Sequence, residues 1–314
     1  MKETLDLRGL NFEEGYIAVI DKPLSWTSTD VVRKIKSALR RLGYRKIKVG
    51  HAGTLDPLAS GILLVCIGRA TKMVDALQAE EKEYVADVML GATTPSYDLE
   101  HPVDATFPTQ HITRGKVLEA LAALSGERLQ SPPVYSAKKI DGMRAYELAR
   151  AGEEVEMRKA LVHIYEMELL EYDLPRIRIR VRCSKGTYIR ALARDLGRAC
   201  ESAAHISALR RTASGVVSIG ACHAVEELSP ESAVGFALDP IAALGATRVD
   251  LPGNLADDLL CGRRIPVERA LADFDASKAP FALVLDGGLK ALARIEGGRF
   301  VMEHVFPQAI GGVR

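Results

Sequence analysis

The chain of 314 residues is 47% hydrophobic and 26% charged, with a formal net charge of +1. This balance is typical of a soluble globular protein, and the length suffices for one large core and a second, smaller one. Five cysteines are scattered without a C-x-x-C pair, so we expect reduced core thiols and no metal site. No apolar run has signal-peptide character or bilayer-spanning length, which predicts a cytoplasmic protein.

The charge is distributed unevenly along the chain. Residues 1–223 carry 33 Lys and Arg against 28 Asp and Glu, whereas residues 224–314 carry 9 against 13. The segment from Arg33 to Lys48 contains eight cations and no acid, and the segment from Arg176 to Arg211 contains ten cations and two acids. Each basic block either follows an RNA phosphate backbone or is simply a solvated surface, and the sequence leaves both interpretations open.

The first predicted elements are a strand, a turn and a helix. Tyr16–Ile20 (YIAVI) has strand character and is followed by the pair Lys22-Pro23. Thr27 or Ser28 can cap the helix that comes next. That helix is expected to bury one face, because its apolar residues recur at helical spacing: Val31, Val32, Ile35, Leu39 and Leu42. The basic residues fall largely on the opposite face.

The loop in the stretch KVGHAGTLDPLASGILLVCIGRATK, residues 48–72, holds the strongest candidate for a reactive group. Asp56 precedes a proline, which lacks an N–H and disfavours the helical region for the residue before it, so the carboxylate sits on stiff, extended backbone. Ile62–Ile67 beyond it has the character of a buried strand. No second carboxylate or metal-ligand cluster accompanies Asp56, which favours a nucleophile. An ordinary Asp-Pro turn is the alternative.

The middle of the chain alternates between predicted helices and strands. The helices are expected over Thr71–Ala79, Thr113–Ser125 and Gly142–Ala151, and the strands over Tyr84–Leu90 and Arg176–Cys183. In the second of these strands the apolar residues alternate strictly with four arginines, so the arginines share one outer face. That face is either an RNA surface or a merely soluble one.

A further helix is predicted to begin near Ile189, within the segment SKGTYIRALARDLG. Arg190 lies in its first turn, where the helix dipole disfavours a cation. We therefore expect a specific anion to compensate for the charge of Arg190, and Asp56 is the candidate for that anion.

The C-terminal part is predicted to form a small β domain. Residues 224–247 contain prolines and small residues and are expected to connect it to the rest of the chain. Beyond them, the glycine pairs 287–288 and 297–298 separate short strand-like runs, as is typical of hairpins. These runs are Phe281–Leu285, Leu289–Ile295 and Phe300–His304.

Several segments, taken together, resemble one known family. The string GHAGTLDPLASG is similar to a catalytic signature, Lys22-Pro23 to the first family motif, and Lys82-Glu83-Tyr84, SKGTYIRALARDLG and HISALRRTASG to segments that line the family's pocket. QSPPVYSAKKIDGMRAYELARAG is similar to the bacterial members. Ser96 and His101 stand where the family commonly has Thr and Gly, whereas Asp98 fits. On these motifs the chain resembles the TruB-type tRNA pseudouridine synthases.

The resemblance implies an α+β fold. It predicts a pseudouridine synthase fold with a mixed, largely antiparallel sheet flanked by helices, spanning residues 1–240. The part from residue 248 to 314 resembles a PUA-like RNA-binding domain.

The resemblance also assigns roles to individual residues. Asp56 would be the catalytic nucleophile, and Arg190 would pair with it. The residues implied in substrate binding are His51, Tyr84, Tyr188 and Leu209. The implied supporting residues are Lys22, Pro23 and Asp98.

The implied activity is conversion of the T-loop uridine at position 55 of tRNA to pseudouridine, with the tRNA T-arm as partner. We expect no metal, no cofactor, no membrane and no obligatory protein partner. Asp56 either attacks the anomeric carbon or removes a sugar proton to give a glycal, and the sequence leaves both routes open. A non-catalytic tRNA-binding or tRNA-folding protein is one alternative, and a synthase acting on other RNAs through a guide complex is another.

Overall fold

The structure is a computed structural model that describes residues 11–136, 138–140, 143–145, 157–228 and 236–311. The chain divides into two compact units that alternate along the sequence. The first unit comprises Met1–Asp56, Gly61–Gln78 and Ser214–Arg314, and the second comprises Pro57–Ser60 and Ala79–Ala213.

The elements of both units follow in chain order. The α-helices are α1 (Ser28–Arg41), α2 (Val74–Ala79), α3 (Arg114–Leu124), α4 (Ile189–Ala199), α5 (Pro240–Leu244) and α6 (Ala256–Leu260). The strands are β1 (Tyr16–Lys22), β2 (Val49–His51), β3 (Ala59–Ile67), β4 (Lys82–Leu90), β5 (Ala92–Thr93), β6 (Ala105–Thr106), β7 (Gly126–Gln130), β8 (Lys139–Ile140), β9 (Met143–Arg144), β10 (Ala160–Asp173), β11 (Arg176–Cys183), β12 (Ala204–Ser214), β13 (Val217–Ser218), β14 (His223–Ala224), β15 (Ala237–Leu238), β16 (Thr247–Asp250), β17 (Ile265–Pro266), β18 (Phe281–Leu285), β19 (Gly288–Glu296) and β20 (Arg299–Ile310).

Strand β1 is the centre of the sheet in the first unit. It pairs antiparallel with β3, from Tyr16 opposite Ile67 to Lys22 opposite Gly61, and parallel with β14, so the sheet is mixed. Strand β2 adds to β3 and β15 adds to β1. Both faces of β1 are buried, because alternate residues of a strand point to opposite sides and two separate apolar clusters receive them. The predicted strand at Tyr16–Ile20 is confirmed.

Helix α1 packs one face against this sheet. Thr27 is its N-cap: its hydroxyl accepts a hydrogen bond from the Asp30 N–H, and the Asp30 carboxylate accepts one from the Thr27 N–H in return. The cap is therefore Thr27 and not Ser28. The buried residues of the helix include the predicted apolar positions Val31, Val32, Ile35 and Leu39, whereas Leu42 is exposed beyond the helix end.

The second unit is built on five strands in the order β12–β4–β11–β10–β7. The neighbouring pairs β4–β11, β11–β10 and β10–β7 are all antiparallel. Helices α3 and α4 cover one face, and their apolar residues form a single buried cluster with alternate residues of β4, β10 and β11. The predicted helix near Thr113–Ser125 and the predicted strands at Tyr84–Leu90 and Arg176–Cys183 are confirmed.

The C-terminal strands form a five-stranded sheet in the order β16–β18–β19–β20–β17. Strands β18, β19 and β20 pair antiparallel, and β16 joins β18 in parallel. The predicted hairpins are confirmed, although β20 continues to Ile310 because a bulge lets it bend and remain paired with β19. Apolar residues of this sheet also pack with those of β1 and β3 in one cluster of the first unit.

The α+β fold with mixed, largely antiparallel sheets and flanking helices is thus confirmed. The predicted helix over Gly142–Ala151 is wrong at its start, because Met143–Arg144 is strand β9, paired with β8. Residues 146–151 of that predicted helix lie outside the described residues. No helix in the described ranges is both long and apolar enough to cross a bilayer.

The capping box at Thr27 gives a prediction about stability. We expect Thr27→Ala to lower the free energy of unfolding by about 1 kcal/mol, because the hydroxyl that satisfies the Asp30 N–H is lost. Ser37→Ala, on the exposed face of the same helix, should change it by less than about 0.5 kcal/mol. Urea unfolding of both variants measures the difference, and equal stabilities would contradict the capping role.

Candidate active site

The turn after β1 is held by a buried lysine. The side chain of Lys22 is fully buried, and its Nζ donates hydrogen bonds to the carbonyl oxygens of Pro23 at 2.8 Å and Trp26 at 2.6 Å. A buried ammonium needs such acceptors, because an uncompensated charge away from water is costly. Lys22 therefore fixes the path of the chain from the end of β1 to the start of α1.

Ser28, the first residue of α1, is bonded to the backbone directly before Asp56. Its hydroxyl accepts a hydrogen bond from the Leu55 N–H at 2.9 Å and donates one to the Leu55 carbonyl at 3.2 Å. Both residues are buried. A single hydroxyl thus satisfies the donor and the acceptor of one buried peptide residue, and this fixes the point from which the Asp56 side chain departs.

Asp56 lies where the chain leaves the core of the first unit. Leu55 is buried, Asp56 is partly exposed and Pro57 is exposed. His51 is the last residue of β2, opposite Val65 of β3, and is also partly exposed. The predicted nucleophile and the predicted neighbouring histidine therefore stand at the two ends of one short connection on rigid backbone.

Arg190, in the first turn of α4, is a buried cation of the second unit. Its Nη1 donates to the Ser96 carbonyl at 3.1 Å and lies 3.5 Å from Asp98 Oδ2. Asp98 is buried as well, and its Oδ1 accepts hydrogen bonds from the Ser96 hydroxyl at 2.5 Å and the Glu100 N–H at 3.0 Å. The anion that the structure places beside Arg190 in this unit is Asp98. The pairing of Arg190 with Asp56 stays a prediction.

Tyr188 occupies the N-cap position of α4, and its backbone is held by a buried glutamine. The Gln130 side chain accepts from the Tyr188 N–H at 2.8 Å and donates to the Tyr188 carbonyl at 3.1 Å. This two-point contact links the end of β7 to the start of α4. It holds the backbone at Tyr188 and leaves the ring partly exposed.

The remaining predicted binding residues of this unit lie on its strands. Tyr84 of β4 and Leu209 of β12 are both partly buried against the apolar cluster under α3 and α4. Lys82, two residues before Tyr84 on the same face of β4, donates to the Glu80 carbonyl at 2.7 Å. Burial, together with the nearby positive charge of Arg211, lowers the pKa of the Lys82 ammonium to about 8.

Three of these positioning residues did not stand out in the sequence. Ser28 is a second candidate cap beside Thr27, Gln130 is one residue of a long motif, and Ser96 is a departure from the family pattern. The one signal in the sequence was for Ser28. Thr27 and Ser28 are adjacent hydroxyl residues at the helix start, and only one of them can be the N-cap, so the other is available for a different contact. Among the described residues, no group of three or more His, Cys, Asp or Glu side chains is placed to hold a metal ion.

Sequence comparison places these residues in a family. A family model described as TruB family pseudouridylate synthase, N-terminal domain, matches residues 40–189. The chain is 57% identical to tRNA pseudouridine synthase B of Phocaeicola vulgatus over 218 residues, which cover 69% of this chain and 93% of that protein. The chain belongs to the TruB family of pseudouridine synthases. It is also 39% identical over 287 residues to tRNA pseudouridine synthase B of Mycobacterium bovis, covering 90% of this chain and 93% of the relative.

Solved structures of the same fold extend over nearly the whole chain. A Cbf5-Nop10-Gar1 complex contains a chain that superposes with a TM-score of 0.67 at 25% identity, covering 95% of this chain and 86% of that one. An archaeal box H/ACA sRNP Nop10-Cbf5 complex gives a TM-score of 0.66 at 22% identity, covering 99% and 93%. The protein is therefore a pseudouridine synthase by family and by fold, as the motifs predicted.

The Ser28 contact gives a prediction about the reaction. We expect Ser28→Ala to slow pseudouridine formation roughly tenfold at saturating RNA, because Leu55 loses both hydrogen bonds and Asp56 loses its fixed departure point. The affinity for RNA should change less than about twofold. Single-turnover assays and binding isotherms separate the two effects.

Ser37→Ala on the same helix is the matched control, since Ser37 is exposed. A Ser28→Ala variant with the wild-type single-turnover rate would show that the hydroxyl serves folding alone. A loss confined to affinity would show that the hydroxyl supports RNA binding and not the positioning of Asp56.

Proposed function

We propose that this protein converts the uridine at position 55 in the T-arm of tRNA to pseudouridine, acting alone and without metal or cofactor. The observation that supports this most directly is the G-T-L-D-P loop, whose Leu55 backbone is held on both sides by Ser28. The relatives named tRNA pseudouridine synthase B, up to 57% identical, support tRNA as the substrate.

The proposed reaction breaks the bond between C1′ of the ribose and N1 of uracil and forms a bond from C1′ to C5. The proton on C5 is lost and N1 gains one, so the product is an isomer of the substrate. An ionised Asp56 begins the reaction either by attack on C1′ or by removal of a ribose proton to give a glycal. Both routes need a carboxylate that is charged and correctly oriented. The stiff Asp-Pro backbone provides the orientation.

Arg190 is proposed to assist Asp56 and to favour its charged form. A guanidinium that serves this role must itself be oriented, and the contacts with the Ser96 carbonyl and the Asp98 carboxylate provide that orientation. Asp98 is thereby a supporting residue, because it compensates a buried cation. Lys22 and Pro23 are proposed to shape the loop that precedes α1.

The target uridine has to leave its stack before any group can reach C1′. Tyr84 and Tyr188 are proposed to stack on the base, and Leu209 to form an apolar wall, since flat and apolar side chains receive an extruded base. His51 is proposed to fill space beside Asp56. Partial exposure of all four side chains supports these assignments, because a fully buried residue would not reach RNA.

The division of the chain is also a proposal. Residues 1–240 would form the catalytic domain and residues 248–314 a PUA-like RNA-binding domain. The separate five-stranded sheet from β16 to β20 and its own apolar cluster support this division. We further propose that the enzyme works in the cytoplasm.

Incubation of the purified protein alone with an unmodified tRNA transcript tests the function. Mapping should show pseudouridine in the T-loop and at no other uridine. Absence of the product, despite tRNA binding, would favour a tRNA-binding or tRNA-folding protein. Product that appears only with a guide RNA and partner proteins would favour a synthase for other RNAs.

Asp56→Asn should abolish pseudouridine formation. The amide has nearly the shape of the carboxylate but neither attacks C1′ nor removes a ribose proton, whereas the fold and the affinity for tRNA should be retained. Asp273→Asn, at an exposed position of the C-terminal part, is the matched control and should turn over normally. Appreciable turnover by Asp56→Asn would overturn the assignment of the nucleophile.

Arg190→Lys should be far from conservative. In the proposed pairing with Asp56, a single ammonium would not reproduce the planar, two-pronged contact of a guanidinium with a carboxylate. We expect the single-turnover rate to fall at least about tenfold, or on the order of 1.4 kcal/mol in barrier height, with a much smaller change in tRNA affinity.

The same substitution at Arg198, exposed in the last turn of the same helix, is the control. If Arg190→Lys instead lost tRNA affinity and kept its rate at saturating tRNA, Arg190 would be a phosphate contact and not a partner of the nucleophile.

A further inference from the structure

The two basic blocks of the sequence differ in how many of their cations are paired with carboxylates. Strand β11 carries the first four arginines of the second block. All four of its outward-facing arginines have carboxylate partners on neighbouring segments. Arg178 contacts Asp87 through two nitrogens, at 2.6 and 3.0 Å, and Glu171 at 2.7 Å. The other pairs are Arg176 with Glu171 at 2.9 Å, Arg180 with Glu168, and Arg182 with Glu81 at 3.7 Å.

These pairs neutralise the outer face of β11. Four arginines are paired with four carboxylates, so the pairs together carry no net charge. The hydrogen bonds from Arg178 hold the pKa of the Asp87 carboxyl below its usual value, and the acid therefore stays charged at neutral pH. An RNA phosphate at this face would have to displace a carboxylate that is already bound, and the exchange would release few counterions.

The block on helix α1 has the opposite character. Its cations are Arg33, Lys34, Lys36, Arg40, Arg41, Arg45, Lys46 and Lys48, which we call the α1 cation surface. Lys36 is partly exposed and the other seven are exposed. Within the part of the chain that the structure describes, Arg33 alone of the eight is in an ion pair, with Asp30 at 3.0 Å, and that acid already belongs to the capping box.

The geometry of α1 aims these charges at solvent. Its buried residues occupy one arc of the helix, and the five cations of the helix itself occupy the opposite arc. The 14 residues of α1 span about 21 Å, so this arc is long enough to follow several successive phosphates. Arg40 and Arg41 in the last turn also suit the helix dipole, but that effect does not account for the other cations.

We propose that the α1 cation surface binds the phosphate backbone of tRNA and that the arginines of β11 do not. This inference rests on the proposed function, in which tRNA is the substrate, and adds which of two similar basic segments contacts it. Unpaired, exposed cations release counterions from RNA on binding, whereas cations already paired with carboxylates do not.

The test compares two double variants that each remove two cations. Lys34→Gln/Arg41→Gln changes the α1 cation surface, and Arg180→Gln/Arg182→Gln changes β11. The dissociation constant for an unmodified tRNA transcript is measured between about 50 and 200 mM salt. Over this salt range, each phosphate contact weakens the affinity by a further factor of roughly 3.5. The α1 variant lacks two such cations, so its affinity should fall by a factor about tenfold smaller than the factor for the wild type.

The β11 variant is expected to keep the wild-type salt dependence within about twofold, and thermal melting checks that both variants fold. The inference would be overturned if the α1 variant kept the wild-type salt dependence. It would also be overturned if the salt dependence of the β11 variant decreased as much as that of the α1 variant. The wild-type protein is assayed for pseudouridine in parallel. Absence of the product would count against the proposed function alone, because the binding comparison does not depend on turnover.

Discussion

The site depends on side-chain hydrogen bonds that hold the backbone of two loops in place. Neither the turn after β1 nor the residue before Asp56 belongs to a helix or a strand. Leu55 is buried, so its peptide groups must be paired, whereas the turn is partly exposed and is held by the buried side chain of Lys22. Lys22 supplies the donor for the Pro23 and Trp26 carbonyls, and Ser28 supplies both partners for Leu55. Two side chains thus turn irregular backbone into a rigid support for the carboxylate that follows.

The second unit solves the corresponding problem for a charge. Arg190 is buried at a helix start, where both desolvation and the helix dipole oppose a cation. Asp98 compensates it, and Asp98 in turn is fixed by the Ser96 hydroxyl and the Glu100 N–H. Each of these contacts therefore orients the next, so removal of Asp98 would take a buried carboxylate away from a buried cation.

The net charge of the protein does not show which of its cations are available to bind RNA. The whole chain is nearly neutral, and its two basic blocks look alike in sequence. In β11 the strand pairing brings acids of β4 and β10 opposite the arginines, so the charges cancel locally. Helix α1 carries its cations on the arc opposite its buried residues, where they are exposed or, for Lys36, partly exposed.

The sequence by itself determined most of the local elements and proposed Asp56 as the reactive residue. Periodicity located β1, α1, β4, α3 and β11, because their apolar spacing depends on neighbours along the chain, and the Asp-Pro string marked Asp56. It did not find β10, the long partner of β11, or choose between Thr27 and Ser28 as cap. It left open which arginines are neutralised, and for the acid beside Arg190 it named Asp56 and not Asp98. Those outcomes required the tertiary structure, since partners such as Asp98 and Arg190 lie about 90 residues apart and only folding sets the distance between them.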